Sequence, residues 1–199
     1  VTLLAHRAAH VDFALGDLEN AADGFHRSTL LSLQAGNPVS AMLNLVNWGE
    51  LLAAAGKPGT LDDFLTAEAR VSRLAGTSRA ALPPLVYGRY LNDSGALFAR
   101  LAPAAAADGS RQTLLYKALE RWDRTLRIAA DSGDRELLHQ QRRQRAVAHL
   151  NRGATLEALG LADGAVAARS AALDETRGAS AYSLEWRALA ALGRYDESL

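Results

Sequence analysis

Residues Leu150 to Ala172 read LNRGATLEALGLADGAVAARSAA. Gly153, Gly160 and Ala165 punctuate this stretch at intervals of seven and five residues, and no proline interrupts the helix formers between them. The pattern predicts two helices meeting at a tight turn near Gly160. Glycine takes the left-handed conformation that closes a helix at little cost, and Asp163 falls in the first turn of the second helix, where the helix dipole favours an acid.

The pattern recurs on both sides. Residues 1–16 predict a first helix with Leu4, Ala8, Val11 and Leu15 on one apolar stripe, closed by Gly16. Its partner, over 18–35, turns Ala21, Phe25, Ser28 and Leu31 inward, and Gly36-Asn37-Pro38 then breaks the chain. A second repeat, 38–78, carries Gly49 and Gly56, then Lys57-Pro58-Gly59, a capping Thr60 and the acids Asp62 and Asp63, with Phe64, Ala67, Val71 and Leu74 as its stripe. A third, 79–133, has Gly88 and Gly95. Residues 96–113 read as an insertion before a second helix over 111–130. The fourth, 134–178, holds the opening stretch on a lengthened first helix. A fifth, 179–199, is incomplete, with Trp186 seven residues before Gly193. Turn glycines are therefore expected at 16, 56, 95, 160 and 193. The chain opens inside a helical pattern and stops where a helix should begin, so a fragment of a longer protein is expected.

Composition agrees with helices. Hydrophobic residues make up 49% of the 199 positions, enough for a packed protein, while aromatics are 6% and prolines five. Alanine and leucine dominate, which favours helix. The 22 basic and 22 acidic residues balance, so nothing at the level of the whole chain points to nucleic acid or an anionic membrane. With no cysteine, disulfides, thiolate zinc sites and cysteine nucleophiles are excluded, which fits a cytoplasmic protein. No apolar run approaches the roughly 20 residues that span a bilayer.

These helix pairs resemble tetratricopeptide repeats. The resemblance rests on small residues midway along the first helices (Ala9, Gly49, Gly88, Gly153), the turn glycines, and an alanine–aromatic–small series in the second helices: Ala21, Phe25, Ser28; Ala118, Trp122, Thr125; and, less closely, Ala165, Arg169, Ala172. It covers nearly the whole chain except 96–113. It implies an all-α, right-handed superhelical solenoid of antiparallel helix pairs, about four and a half repeats over 1–199, similar to the elongated repeats of bacterial regulatory and signalling proteins. The first helices would line a concave face that holds a protein or peptide. Carried over residue by residue, that face would present His6, His10, Phe13, Glu50, Arg89, Asn92, Asp93, Leu150, Glu157 and Arg187.

Other features invite sharper readings. His6 and His10 stand four apart on one helix face, the spacing of metal ligands, but no third ligand and no HExxH signature accompany them, so no metal or other cofactor is expected. Asp62, Asp63 and Glu68 form a carboxylate group of the kind a helix start attracts anyway. Lys57-Pro58-Gly59-Thr60 lacks the order of a phosphate loop. Arg142, Arg143 and Arg145 make a basic patch that would suit an acidic partner or a phosphate backbone, with a solvated helix face as the plain alternative. Trp48, Trp122 and Trp186 read as packing residues, Trp186 in a place where a small residue belongs. The leading expectation is a non-catalytic binding scaffold. The alternatives are an enzyme or small-ligand domain with its site near His6 and His10 or in 96–113, and a self-assembly module.

Overall fold

A computed structural model describes residues 2–55, 61–77, 83–105, 108–128 and 135–194. Among them the regular structure is entirely helical. The helices are α1 (Thr2–Ala14), α2 (Leu18–Gln34), α3 (Pro38–Ala55), α4 (Leu61–Thr77), α5 (Pro84–Leu101), α6 (Asp108–Leu126), α7 (Arg135–Ala158), α8 (Ala162–Gly178) and α9 (Tyr182–Ala191), with a 3₁₀ turn at Ala102–Ala104. No helix among the described residues is long and apolar enough to cross a membrane.

Among the described residues, one backbone device closes most of the turns. At Gly16, Gly36, Gly160 and Gly193 φ lies between 64 and 80°, in the left-handed region. At each, the next residue's N–H reaches back to the carbonyl five before it: Asp17 to Asp12, Asn37 to Ser32, Leu161 to Leu156 and Arg194 to Leu189. This is the Schellman closure, which satisfies the last carbonyls of a helix. Ser180 does the same with φ of 49°, the Ala181 N–H bonding the Thr176 carbonyl. Gly16 and Gly36 therefore bracket α2, and Gly160 and Ser180 bracket α8, each pair twenty residues apart. The two 17-residue helices also bury matching places: Ala21, Ser28, Thr29 and Ser32 in α2, and Ala165, Ala172, Leu173 and Thr176 in α8. Asp17 caps α2 by accepting from the Asn20 N–H, and Asn37 caps α3 by accepting from Ser40 N–H beside Pro38 at the first helical position.

Several expectations are corrected. Gly95 closes no turn. It lies inside α5, buried, where a Cβ would stand 2.7 Å from Trp122 Nε1. Glycine is needed there because α6 crosses closely, not because the backbone turns. Pro84 and Gly95 are spaced as Pro38 and Gly49 are, and both helices run 18 residues, so α5 matches α3. The supposed insertion 96–113 then becomes the end of α5, the 3₁₀ turn and the start of α6. Ser110, within the supposed insertion, is helical. The apolar stripe of α1 is reversed as well. Leu4, Val11 and Leu15 are 72, 57 and 78% exposed, while Ala9 is fully buried against Gly24. Leu31 and Leu74 are half-buried, their places in the core taken by Thr29, Ser32 and Ala75. Trp48 and Trp122 pack inside, but Trp186 is 56% exposed. Gly56 lies outside the described residues.

The chain forms two compact units, Val1–Tyr90 and Leu91–Leu199. In the first, α1 packs on α2, α2 on α3 and α4, and α3 on α4. Its core is built on Phe25, Leu45, Trp48, Phe64 and Val71, with Glu68 buried and bonded by the Tyr90 hydroxyl. In the second, α7 packs against α6, α8 and α9. Leu97, Phe98 and Trp122 fill one part of the core, and Leu150, Leu173, Leu184 and Leu189 another.

Candidate functional site

The first unit holds a cleft of about 410 Å³ where the start of α1 meets the α2–α3 turn. Leu3, Ala35, Val39 and Leu43 form apolar walls, and His6, Asn37, Ser40 and Asn44 supply polar groups. Apolar walls with a few convergent polar groups are the usual make-up of a ligand pocket.

Those polar groups belong to a chain of hydrogen bonds. The Ser32 hydroxyl lies 2.8 Å from the Ser28 carbonyl oxygen and 2.9 Å from Ser40 Oγ. Asn44 Nδ2 donates to the Ser40 carbonyl at 2.7 Å and approaches Ser40 Oγ at 3.3 Å. Asn44 Oδ1 meets His6 Nδ1 at 2.8 Å. Ser28, Ser32 and Asn44 are buried, at most 1% exposed, so their orientation is fixed by bonds that water cannot replace. Sequence reasoning found His6 and missed Asn44, because its partner comes from a helix 38 residues earlier and no local pattern marks it.

His6 and His10 do come together. Their rings meet edge to face at 4.5 Å between centroids, and the His10 ring meets Phe25 in the same manner at 4.9 Å. Packing against these rings, and then the neighbouring His6, hold the His10 imidazole below its ordinary value of 6.5. Among the described residues no three His, Asp or Glu side chains gather as a metal would require. Beyond this cluster, His26 stacks on Trp48 at 4.0 Å.

The remaining expected groove residues scatter. Phe13 is half-exposed and Glu50 half-buried. Arg89 is exposed and Asp93 half-buried. Asn92 is turned into the protein, 5% exposed, donating Nδ2 to the Gln144 carbonyl at 2.9 Å. Leu150 is a core residue of the second unit, 8% exposed among Ala146, Ala172 and Leu189, and cannot line a groove. Glu157 is exposed and pairs with Arg169, and Arg187 is exposed on α9. Lys57, Pro58, Gly59 and Thr60 lie outside the described residues.

The three arginines of the basic patch part company. Arg143 is exposed. The Arg142 side chain lies over Gly178. Arg145 is half-buried, its Nε donating to Glu175 at 2.6 Å and its Nη1 to the Leu126 carbonyl at 2.9 Å. It ties α7 to α8 and to the end of α6. On the same face of α7, Arg152 pairs with Asp123 of α6 at 2.8 Å. His149 sits between the two pairs with Nδ1 buried and unbonded. Burial, then Arg145, lower its pKa from 6.5, and Arg152 adds to this while Glu175 and Asp123 oppose it. This face is a half-buried ladder of ion pairs between helices.

No protein-family model matches the chain, and no curated protein matches it.

Proposed function

We propose that the chain is a scaffold of tetratricopeptide type, its helix pairs stacking in a right-handed superhelix, that binds a protein or peptide without catalysis as the interaction region of a bacterial regulatory protein. The repeated turn chemistry around α2 and α8, and the small-residue crossings of Ala9 on Gly24 and Gly153 on α8, support the repeat reading. The observation that carries the binding reading is the cleft on α1 and α3, both first helices, with polar groups held in place by the part-buried bonds behind them. Preorganised groups lose little freedom on binding. Panning the full chain against a random peptide library tests it. Binders whose contacts map to α1 and α3 are expected, and a library that returns none sinks the reading.

A second reading, self-association, is favoured by α1. Leu4, Val11 and Leu15 present an apolar stripe to solvent, with Phe13 and Leu3 beside it, and contiguous apolar patches of this kind commonly mark interfaces. Sedimentation equilibrium over a concentration series would show a monomer–dimer equilibrium. The Leu4→Ser/Leu15→Ser variant should shift it to monomer, and a wild-type chain monomeric throughout contradicts it.

A further inference from the structure

We infer that the α1–α3 cleft is built for a peptide amide that carries an apolar side chain, and that it selects such a group against a carboxylate. This rests on the scaffold reading and names the chemistry of its site.

The inference follows from the protons along the hydrogen-bond chain. The Ser28 carbonyl can only accept, so it takes the Ser32 hydroxyl proton. The Ser40 hydroxyl must then donate to Ser32 Oγ. The Asn44 amide has one allowed orientation. Its nitrogen faces the Ser40 carbonyl at 2.7 Å, because the reverse would set two acceptors against each other. Asn44 Oδ1 is thereby turned to His6 Nδ1, and in the neutral imidazole that nitrogen carries the hydrogen. The other ring nitrogen, Nε2, is left with a lone pair. Asn37 is constrained in the opposite sense: its Oδ1 accepts from the Ser40 N–H at 3.0 Å, which leaves its amide N–H groups as donors.

His6 and Asn37 both line the cleft, so Nε2 is the acceptor that the His6 ring has left for a ligand and the amide N–H groups are the donors that Asn37 has left, between walls that include Leu3, Val39 and Leu43. A peptide amide supplies the matching donor and acceptor, and a side chain of leucine size suits the walls. A carboxylate brings acceptors only and sets one against the Nε2 lone pair. The cleft volume of about 410 Å³ falls among small-molecule sites and exceeds what one residue needs, so a neighbouring stretch of peptide also has room.

Nuclear magnetic resonance on the ¹⁵N-labelled full chain at about pH 8, above the ordinary histidine range, reads both halves. Long-range proton–nitrogen spectra give the His6 tautomer, and N-acetyl-L-leucinamide is titrated with N-acetyl-L-leucine as the anionic control. His6 should carry its hydrogen on Nδ1. The amide probe should move the signals of Ser40, Leu43 and Asn44, and the anion should bind about tenfold more weakly, the worth of one hydrogen bond. His6→Phe keeps a ring but removes Nε2 together with the Nδ1 bond to Asn44, and should lose a similar factor or more. Should that variant fail to fold, Leu43→Arg, at an exposed position, blocks the wall instead. A hydrogen on Nε2, equal binding of the anion, or signals moving on other helices overturns the inference. Library peptides that bind elsewhere would sink this site and leave the scaffold reading standing. Probe binding in the cleft with no library binder would do the reverse.

Discussion

Single residues set the turns and crossings of this chain, and their cost can be measured. Ser180 holds a left-handed conformation that glycine adopts freely and an L side chain does not. Ser180→Gly is expected to stabilise the protein by about 1 kcal/mol, and Gly160→Ala to destabilise it by a similar amount, both read by urea unfolding. Gly95 is a different case. Its φ is helical, so alanine would gain about 1 kcal/mol in an open helix, as expected for Gly76, where a Cβ meets nothing within 4 Å. At Gly95 the same Cβ would strike Trp122 and come within 3.2 Å of Arg121 Cβ. Gly95→Ala should therefore lose about 1–3 kcal/mol, and an unchanged unfolding midpoint would refute the close crossing. These two glycines show where sequence reading ends. A glycine that closes a helix and one that admits a neighbour look alike in a string, and only the Pro84 register tells them apart. Ser180 gave no signal, because serine is not the residue one expects there. Asn44 was equally silent, since its importance comes from His6 on another helix.

At the scale of the helix, patterning reported the elements well and their surroundings poorly. The limits of α2, the end of α7 and the start of α8 follow from turn glycines and apolar spacing that are local in the chain. The stripe of α1 is real but faces solvent, because periodicity shows that a helix has an apolar face and not what covers it. In α7, the run of arginines read as one patch, yet helical rotation sends Arg145 to Glu175 and leaves Arg143 in water. The His149 that this face encloses has a testable consequence. In the folded protein it resists the proton that the unfolded chain accepts below its ordinary value of 6.5, and His10 does the same. The unfolded state then binds more protons in that window, so stability is complete above about pH 6.5 and falls as the pH drops toward the folded values. Thermal unfolding between about pH 8 and pH 5 should show a declining midpoint. His149→Gln should flatten the decline, and an equally steep curve would show that the histidine is not responsible.

At the scale of the whole molecule, the all-helical class and the pairing of consecutive helices were legible, because helix propensity and turn chemistry are written residue by residue. The proposed binding surface was legible only in part. His6, placed on the groove by the repeat resemblance, does line the cleft, but Leu150 and Asn92 were assigned to a groove that packing denies them. A repeat template fixes which helix a residue is on better than which way it points. Peptide binding is proposed to run through the cleft of the first unit. Leu43 forms a wall of that cleft and is 54% exposed, so Leu43→Arg fills the site with little effect on the core. Calorimetric titration of a library-selected peptide into wild-type and Leu43→Arg protein is the direct test. At least a roughly tenfold weaker affinity is expected for the variant at an unchanged melting temperature. Equal affinity in the two proteins would contradict it.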